Sequence, residues 1–225
     1  MAVVAFALSG CAVQAPRAPE VSESLPAGFA VDFYQQAARR GIPVVEIDPG
    51  LSLLVIEARR GGPLARLGHD HAIASHNVRG YVAPTLGRAD LFIRLDELVV
   101  DEPDLRAEAG FDTQPTPEAI AGTRRNMLLQ LHAEEHPYAV IAMEGVAADA
   151  TEASVNASIT LNGVSRAVRV PVQIEHGPDR WLFTGRVALQ QSDFGVVPLA
   201  ILGGGLVVED SVDVRFVIRA HALAP

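Results

Sequence analysis

The sequence predicts a mainly β protein: an eight-stranded antiparallel barrel with one or two helices. Three observations carry that expectation. From Pro43 onward apolar residues recur with a period of two, the mark of strands with one buried face. Asn162-Gly163 stands between two such segments as a strong hairpin signal. The length of 225 residues suits one all-β domain, since sandwiches and barrels of about 200 to 250 residues form single units.

The elements follow in order. Met1 to Leu8 is an uncharged apolar run, too short to cross a bilayer core of about 30 Å, so residues 1–10 read as an export signal. Leu8-Ser9-Gly10-Cys11 resembles the lipobox of bacterial lipoproteins, which implies lipidation at Cys11 and anchoring to a membrane. Acyl chains contribute about 0.8 kcal/mol per buried CH₂, and two already give a stable anchor. Ala12, where Asp would signal inner-membrane retention, implies by the same resemblance the outer membrane. No Lys or Arg follows Met1, a departure from the pattern that points to a start further upstream. The competing reading of Cys11 is an inert buried thiol. Residues 11–42 are then a tether followed by a short helix, Phe29 to Arg40, which ends on a basic pair before Gly41.

The barrel domain is expected over 43–222. Its strands are read at Leu51–Glu57, Ile73–Val82, Ala89–Val99, Tyr138–Val146, Ser154–Leu161, Arg166–Ile174, Trp181–Leu189 and Val212–Ile218. Eight strands close a barrel wide enough for one small ligand. One helix interrupts them: Thr116 is its N-cap, Pro117 its first residue, and Ile120, Met127, Leu128 and Leu131 its apolar side. It lies across a barrel end or flank, as a plug or as a gate.

Composition narrows the function. With 18 Lys plus Arg against 27 Asp plus Glu the net charge is −9, and only 5% of residues are aromatic, so a stacking platform in a basic groove is missing and nucleic acid is not an expected partner. One cysteine excludes an internal disulfide and a Cys-based zinc cluster.

Three stretches, in this order, resemble the YceI-like family of periplasmic isoprenoid-binding proteins: Ala133–Met143 (AEEHPYAVIAM), Leu161–Val172 (LNGVSRAVRVPV) and Gln191–Val196 (QSDFGV). The likeness spans about Val44 to Ala220. It implies a lipocalin-like barrel whose channel takes up a polyprenyl chain, no catalytic residues, no cofactor beyond a bound isoprenoid lipid or quinone, and a location in the cell envelope facing the periplasm. Aliphatic strand faces suit such a ligand, because each Å² of apolar surface removed from water contributes about 25 cal/mol. The same faces in a filled interior would form a solid core. Channel wall and mouth are assigned to Val55, Leu67, His69, His71, Leu91, Ile93, Met127, Val155, Ile159, Leu161, Val168, Val170, Trp181, Phe183 and Phe194. Pairing of two chains into a homodimer across a strand edge stays open.

The histidines depart from that pattern. His69, His71 and His76 place three of seven histidines within eight residues, where the family more often carries a Lys-His pair. An extended segment would put His69 and His71 on one face, with Asp70 turned away. They then serve as hydrogen-bonding rim residues, as contacts to the head group of an amphiphile such as a quinone carbonyl or a prenyl phosphate, or as metal ligands, which makes a metal-binding or metal-dependent protein the alternative function. Ser192-Asp193 and Ser75-His76 lack a nucleophile elbow, Gly203-Gly204-Gly205 lacks the Lys-Ser of a phosphate loop, and Arg124-Arg125 reads as a solvated helix face in preference to a partner for a lipid phosphate.

Overall fold

A computed structural model describes residues 25–146, 150–177 and 179–223; the signal segment and Cys11 lie outside them. In chain order the elements are α1 (Val31–Arg39), β1 (Val45–Ile47), β2 (Leu53–Gly61), β3 (His71–Ser75), β4 (Arg79–Ala83), β5 (Arg88–Arg94), β6 (Val99–Val100), α2 (Pro103–Glu108), α3 (Pro117–Gln130), β7 (Tyr138–Glu144), β8 (Glu152–Leu161), β9 (Val164–His176), β10 (Arg180–Gln190), β11 (Ala200–Ile201) and β12 (Leu206–Ala222). All pairings are antiparallel, in the order β1-β4-β5-β7-β8-β9-β10-β12, and β12 returns to β1 to close an eight-stranded barrel. No helix among the described residues is long and apolar enough to cross a membrane.

Each of the eight expected strands is present, two of them are broken, and a strand not expected, β1, precedes the first. Pro49–Leu51 separates β1 from β2, and both pair with β12. Residues 76–78 separate β3 from β4, and residues 95–98 separate β5 from β6. The runs Ile73–Val82 and Ala89–Val99 are therefore two strands each. Local polar contacts compete with the ladder there: Asn77 N donates to Ser75 Oγ at 3.4 Å and Asn77 Nδ2 to Glu97 Oε2 at 2.5 Å. Beyond the breaks β6 pairs only with β3, and β7 begins at Tyr138, level with Arg94. Helix α3 fills the resulting gap, packing on β6 and setting Met127, Leu128 and Leu131 against the core. Its cap is the expected one, with Thr116 Oγ1 accepting from Ala119 N at 3.3 Å.

Outside the wall, α1 is clasped to β4 and β5. The buried Tyr34 hydroxyl donates to Asp90 at 2.6 Å, and Arg88 Nε donates to the same carboxylate at 2.7 Å. Burial, then the bond to Asp90, pushes the Tyr34 hydroxyl above its ordinary range. Helix α2 covers the outer face of β2 and β3, burying Leu105 with Val55, Ala72 and Ala74. Its six residues are too few to show a helical period in the sequence. Two glycines shape the barrel. Gly163, at φ +71, completes the Asn162-Gly163 turn, and a Cβ there would meet the His136 ring at 2.9 Å. Gly185 leaves room for Phe216 opposite it, whose ring a Cβ would meet at 2.5 Å.

Candidate functional site

Inward side chains of the barrel strands surround a cavity of about 310 Å³. That is at the lower end of the range of about 300 to 1,000 Å³ common for small-ligand sites. Strand alternation builds it: Leu91 and Ile93 from β5, Val155, Ala157 and Ile159 from β8, Val170 and Val172 from β9, Val212, Val214 and Phe216 from β12. Among the described residues that line it none is Asp, Glu or Arg, and the chain has no lysine.

The two ends differ. Register places Ile47, Val82, Ala89, Val146, Ile174 and Ile218 toward one end, and all six are buried and aliphatic. The polar lining residues gather at the other, where α3 crosses: His71 from β3, Thr123, Asn126 and Gln130 from α3, Gln190 at the end of β10 and Gln191 just after it. Ladder rows bring His71 level with the end of β10, since Leu189 pairs with Val212, Val212 with Ala58 and Ala58 with His71, and the contact between Thr123 and His71 sets α3 at the same end.

His71 is the fixed point of the polar end. Its Nδ1 lies 2.6 Å from Asp101 Oδ2, and its Nε2 lies 3.4 Å from Thr123 Oγ1. The Asp101 side chain is 0% exposed and accepts further bonds from Ala72 N at 3.1 Å and Arg106 Nη1 at 2.5 Å. Arg106, also buried, donates to the backbone oxygens of Asp70 and Thr113 at 2.5 and 2.6 Å. Burial alone would raise the Asp101 carboxyl, but the bonds from His71, Arg106 and Ala72 outweigh it and hold the carboxyl below its ordinary range. Asp101 adopts φ +61, a left-handed turn that aims its backbone N–H at Ala72 O, 2.7 Å away.

Ten of the fifteen assigned channel residues line the cavity: His71, Leu91, Ile93, Met127, Val155, Ile159, Leu161, Val170, Phe183 and Phe194. Five are placed elsewhere. Val55 is buried on the outer face under α2, because Leu53–Ile56 is apolar on both faces and its phase is set by packing, with Leu54 and Ile56 inward. Leu67 is 58% exposed at the end of a 3₁₀ turn, Ala65–Leu67. His69 precedes β3 in a loop, so the extended geometry that would align it with His71 is not formed; the ring centroids stand 6.3 Å apart. Its Nδ1 is buried without a partner, and burial, then the neighbouring His71 and Arg106, lowers its pKa. Val168 packs on the core without bounding the cavity, and Trp181 stacks between His176 and Phe183 at 4.3 and 5.8 Å. No group of three or more His, Cys, Asp or Glu side chains able to hold a metal occurs among the described residues, so the metal alternative gains no ligand set.

Sequence reading missed Asp101, Thr123, Asn126, Gln130, Gln190 and Gln191. Asp101 meets His71 through the β3–β6 pairing, 30 residues apart, a contact with no local signature.

Fold and site together define a class: a small closed antiparallel barrel enclosing an aliphatic channel with polar groups at one end. The YceI-like domain model matches residues 71–220, and the chain belongs to that family. Solved structures with this fold include a polyisoprenoid-binding domain from Saccharophagus degradans implicated in plant cell wall breakdown, at 16% identity and TM-score 0.59, covering 80% of this chain and 98% of that one. Burkholderia cenocepacia BcnA is similar at 16% identity and TM-score 0.53, covering 77% and 98%. No curated protein matches.

Proposed function

We propose that the chain binds an isoprenoid or quinone-like amphiphile without transforming it, in the bacterial cell envelope, with the hydrocarbon along the channel and the head group at His71. The observation that carries this reading is the sorting of the lining: aliphatic along its length, with His71, Thr123, Asn126, Gln130, Gln190 and Gln191 at one end. A sugar or nucleotide needs converging polar groups along its whole length, and this channel offers them at one end only. Each buried CH₂ contributes about 0.8 kcal/mol, so affinity grows with chain length until the space is filled. The Saccharophagus domain, which shares the fold, is described as polyisoprenoid-binding, which supports the same ligand class here.

Organic extraction of the purified protein followed by mass spectrometry is the test. A co-purifying prenyl lipid is the expected result; an empty extract, together with no binding of added prenyl lipids, overturns the reading. Attachment to the envelope through Cys11 has its own measurement: Cys11→Ala is expected to move the protein from the membrane to the soluble fraction, and retention on membranes refutes lipidation.

A further inference from the structure

Resting on that reading, we infer that the polar end selects an uncharged, hydroxyl-bearing head group, an isoprenoid alcohol or hydroquinone, over a prenyl phosphate and over a head that only accepts hydrogen bonds. The argument begins with Asp101. An ionised carboxylate only accepts hydrogen bonds, so the contact at 2.6 Å makes His71 Nδ1 the donor. In the neutral ring Nε2 is then an acceptor, and the only described group within hydrogen-bonding range is Thr123 Oγ1, at a long 3.4 Å. Nε2 is thus presented as an oriented acceptor, and the matching ligand atom is a hydroxyl hydrogen. The ligand oxygen can accept in turn from the Thr123 hydroxyl beside it.

Charge argues against phosphate. An anion taken from water into a low-dielectric mouth needs cationic partners to offset its lost hydration, and among the described residues no Arg borders the cavity. The Arg106 guanidinium is buried, reaches the Asp101 carboxylate that His71 also contacts, and is already bonded to Asp101, Asp70 and Thr113. Arg124 on α3 donates to the backbone oxygens of Asp96 and Leu98. Arg166, on the nearby β8–β9 hairpin, donates to Ser165 O at 2.9 Å and does not border the cavity.

Three probes with one tail separate the possibilities: geranylgeraniol, geranylgeranial and geranylgeranyl diphosphate, titrated against the delipidated full chain and read by native mass spectrometry. A neutral hydrogen bond is worth roughly a factor of three to ten in affinity, so the alcohol is expected to bind about that much tighter than the aldehyde. The diphosphate is expected to be weakest. Equal binding of alcohol and aldehyde, or tighter binding of the diphosphate, overturns the inference while leaving the channel as a lipid site. Failure of all three to bind overturns the channel reading and the inference with it. These comparisons use the unaltered chain. In His71→Leu the alcohol and aldehyde are expected to converge, whereas Thr123→Val, which leaves the His71–Asp101 bond in place, is expected to keep them apart; convergence in Thr123→Val alone overturns the assignment to His71.

Discussion

The two ends of the channel are made by different means. At the apolar end Ile47, Val82, Ala89, Ile174 and Ile218 reach the interior through strand alternation alone, and each is buried. At the polar end the wall is interrupted, α3 replaces strand pairing, and the side chains depend on contacts such as His71–Asp101 and Asp101–Arg106. One end tolerates repacking as long as volume is kept; the other rests on one buried charge pair. The difference teaches that the hydrocarbon part of the site is a property of the barrel, whereas the head-group part is an addition built over it.

The largest expected effect is at the polar end. Asp101→Ala leaves Arg106 buried without its carboxylate, and removing one partner of a buried pair costs about 3 to 5 kcal/mol. Urea denaturation measures it, and a loss below about 1 kcal/mol would show that the pair is not what holds this end together. The same carboxylate sets a pH dependence. Because its folded pKa is depressed, the stability it adds is fully present above the ordinary value of 3.8 and is lost as pH falls through the lower folded value. Asp101→Asn is expected to flatten that part of the stability curve.

At the apolar end Ala89→Phe fills the channel from within. Overpacking costs about 1 to 3 kcal/mol, and the sharper readout is loss of co-purifying lipid from a folded barrel, with circular dichroism confirming the fold. Undiminished lipid would place the ligand elsewhere. A smaller effect is expected at Gly163→Ala, where a left-handed φ of +71 and the His136 ring at 2.9 Å oppose a side chain. About 1 to 2 kcal/mol is the expected loss by thermal unfolding, with ligand chemistry unchanged.

The smallest effect has the opposite sign. His69 keeps its Nδ1 buried without a partner, so His69→Leu removes an unsatisfied polar group and is expected to raise stability by up to about 1 kcal/mol. Its depressed pKa means that the unfolded chain takes up protons first as pH falls below about 6.5, which costs stability across that window. In the variant, the decline measured below that pH is expected to be shallower.

What the sequence made legible follows the same division. Period-two segments located every barrel strand except the three-residue β1, Asn162-Gly163 located a hairpin, and Thr116-Pro117 located the start of α3. Phase failed at Val55, where both faces of Leu53–Ile56 are apolar because α2 covers the outside. Spacing failed at His69, since a two-residue interval puts side chains on one face only inside a strand, and β3 begins at His71. Asp101 was out of reach for a different reason. It lies in a turn just before α2, and nothing in its neighbours marks it as the residue that orients a histidine 30 positions earlier.

Strand β12 pairs with β10 on one side, with β1 and β2 on the other, and with β11 at its start. It is also the last barrel strand to leave the ribosome. Until residues 206–222 have emerged, β2 and β10 have no shared neighbour and the tube has an open seam along its length. Closure is therefore a late, long-range event, and the earlier strands must wait with apolar faces uncovered. For this chain the hazardous interval lies before folding is complete, which makes the company of chaperones part of what determines its yield.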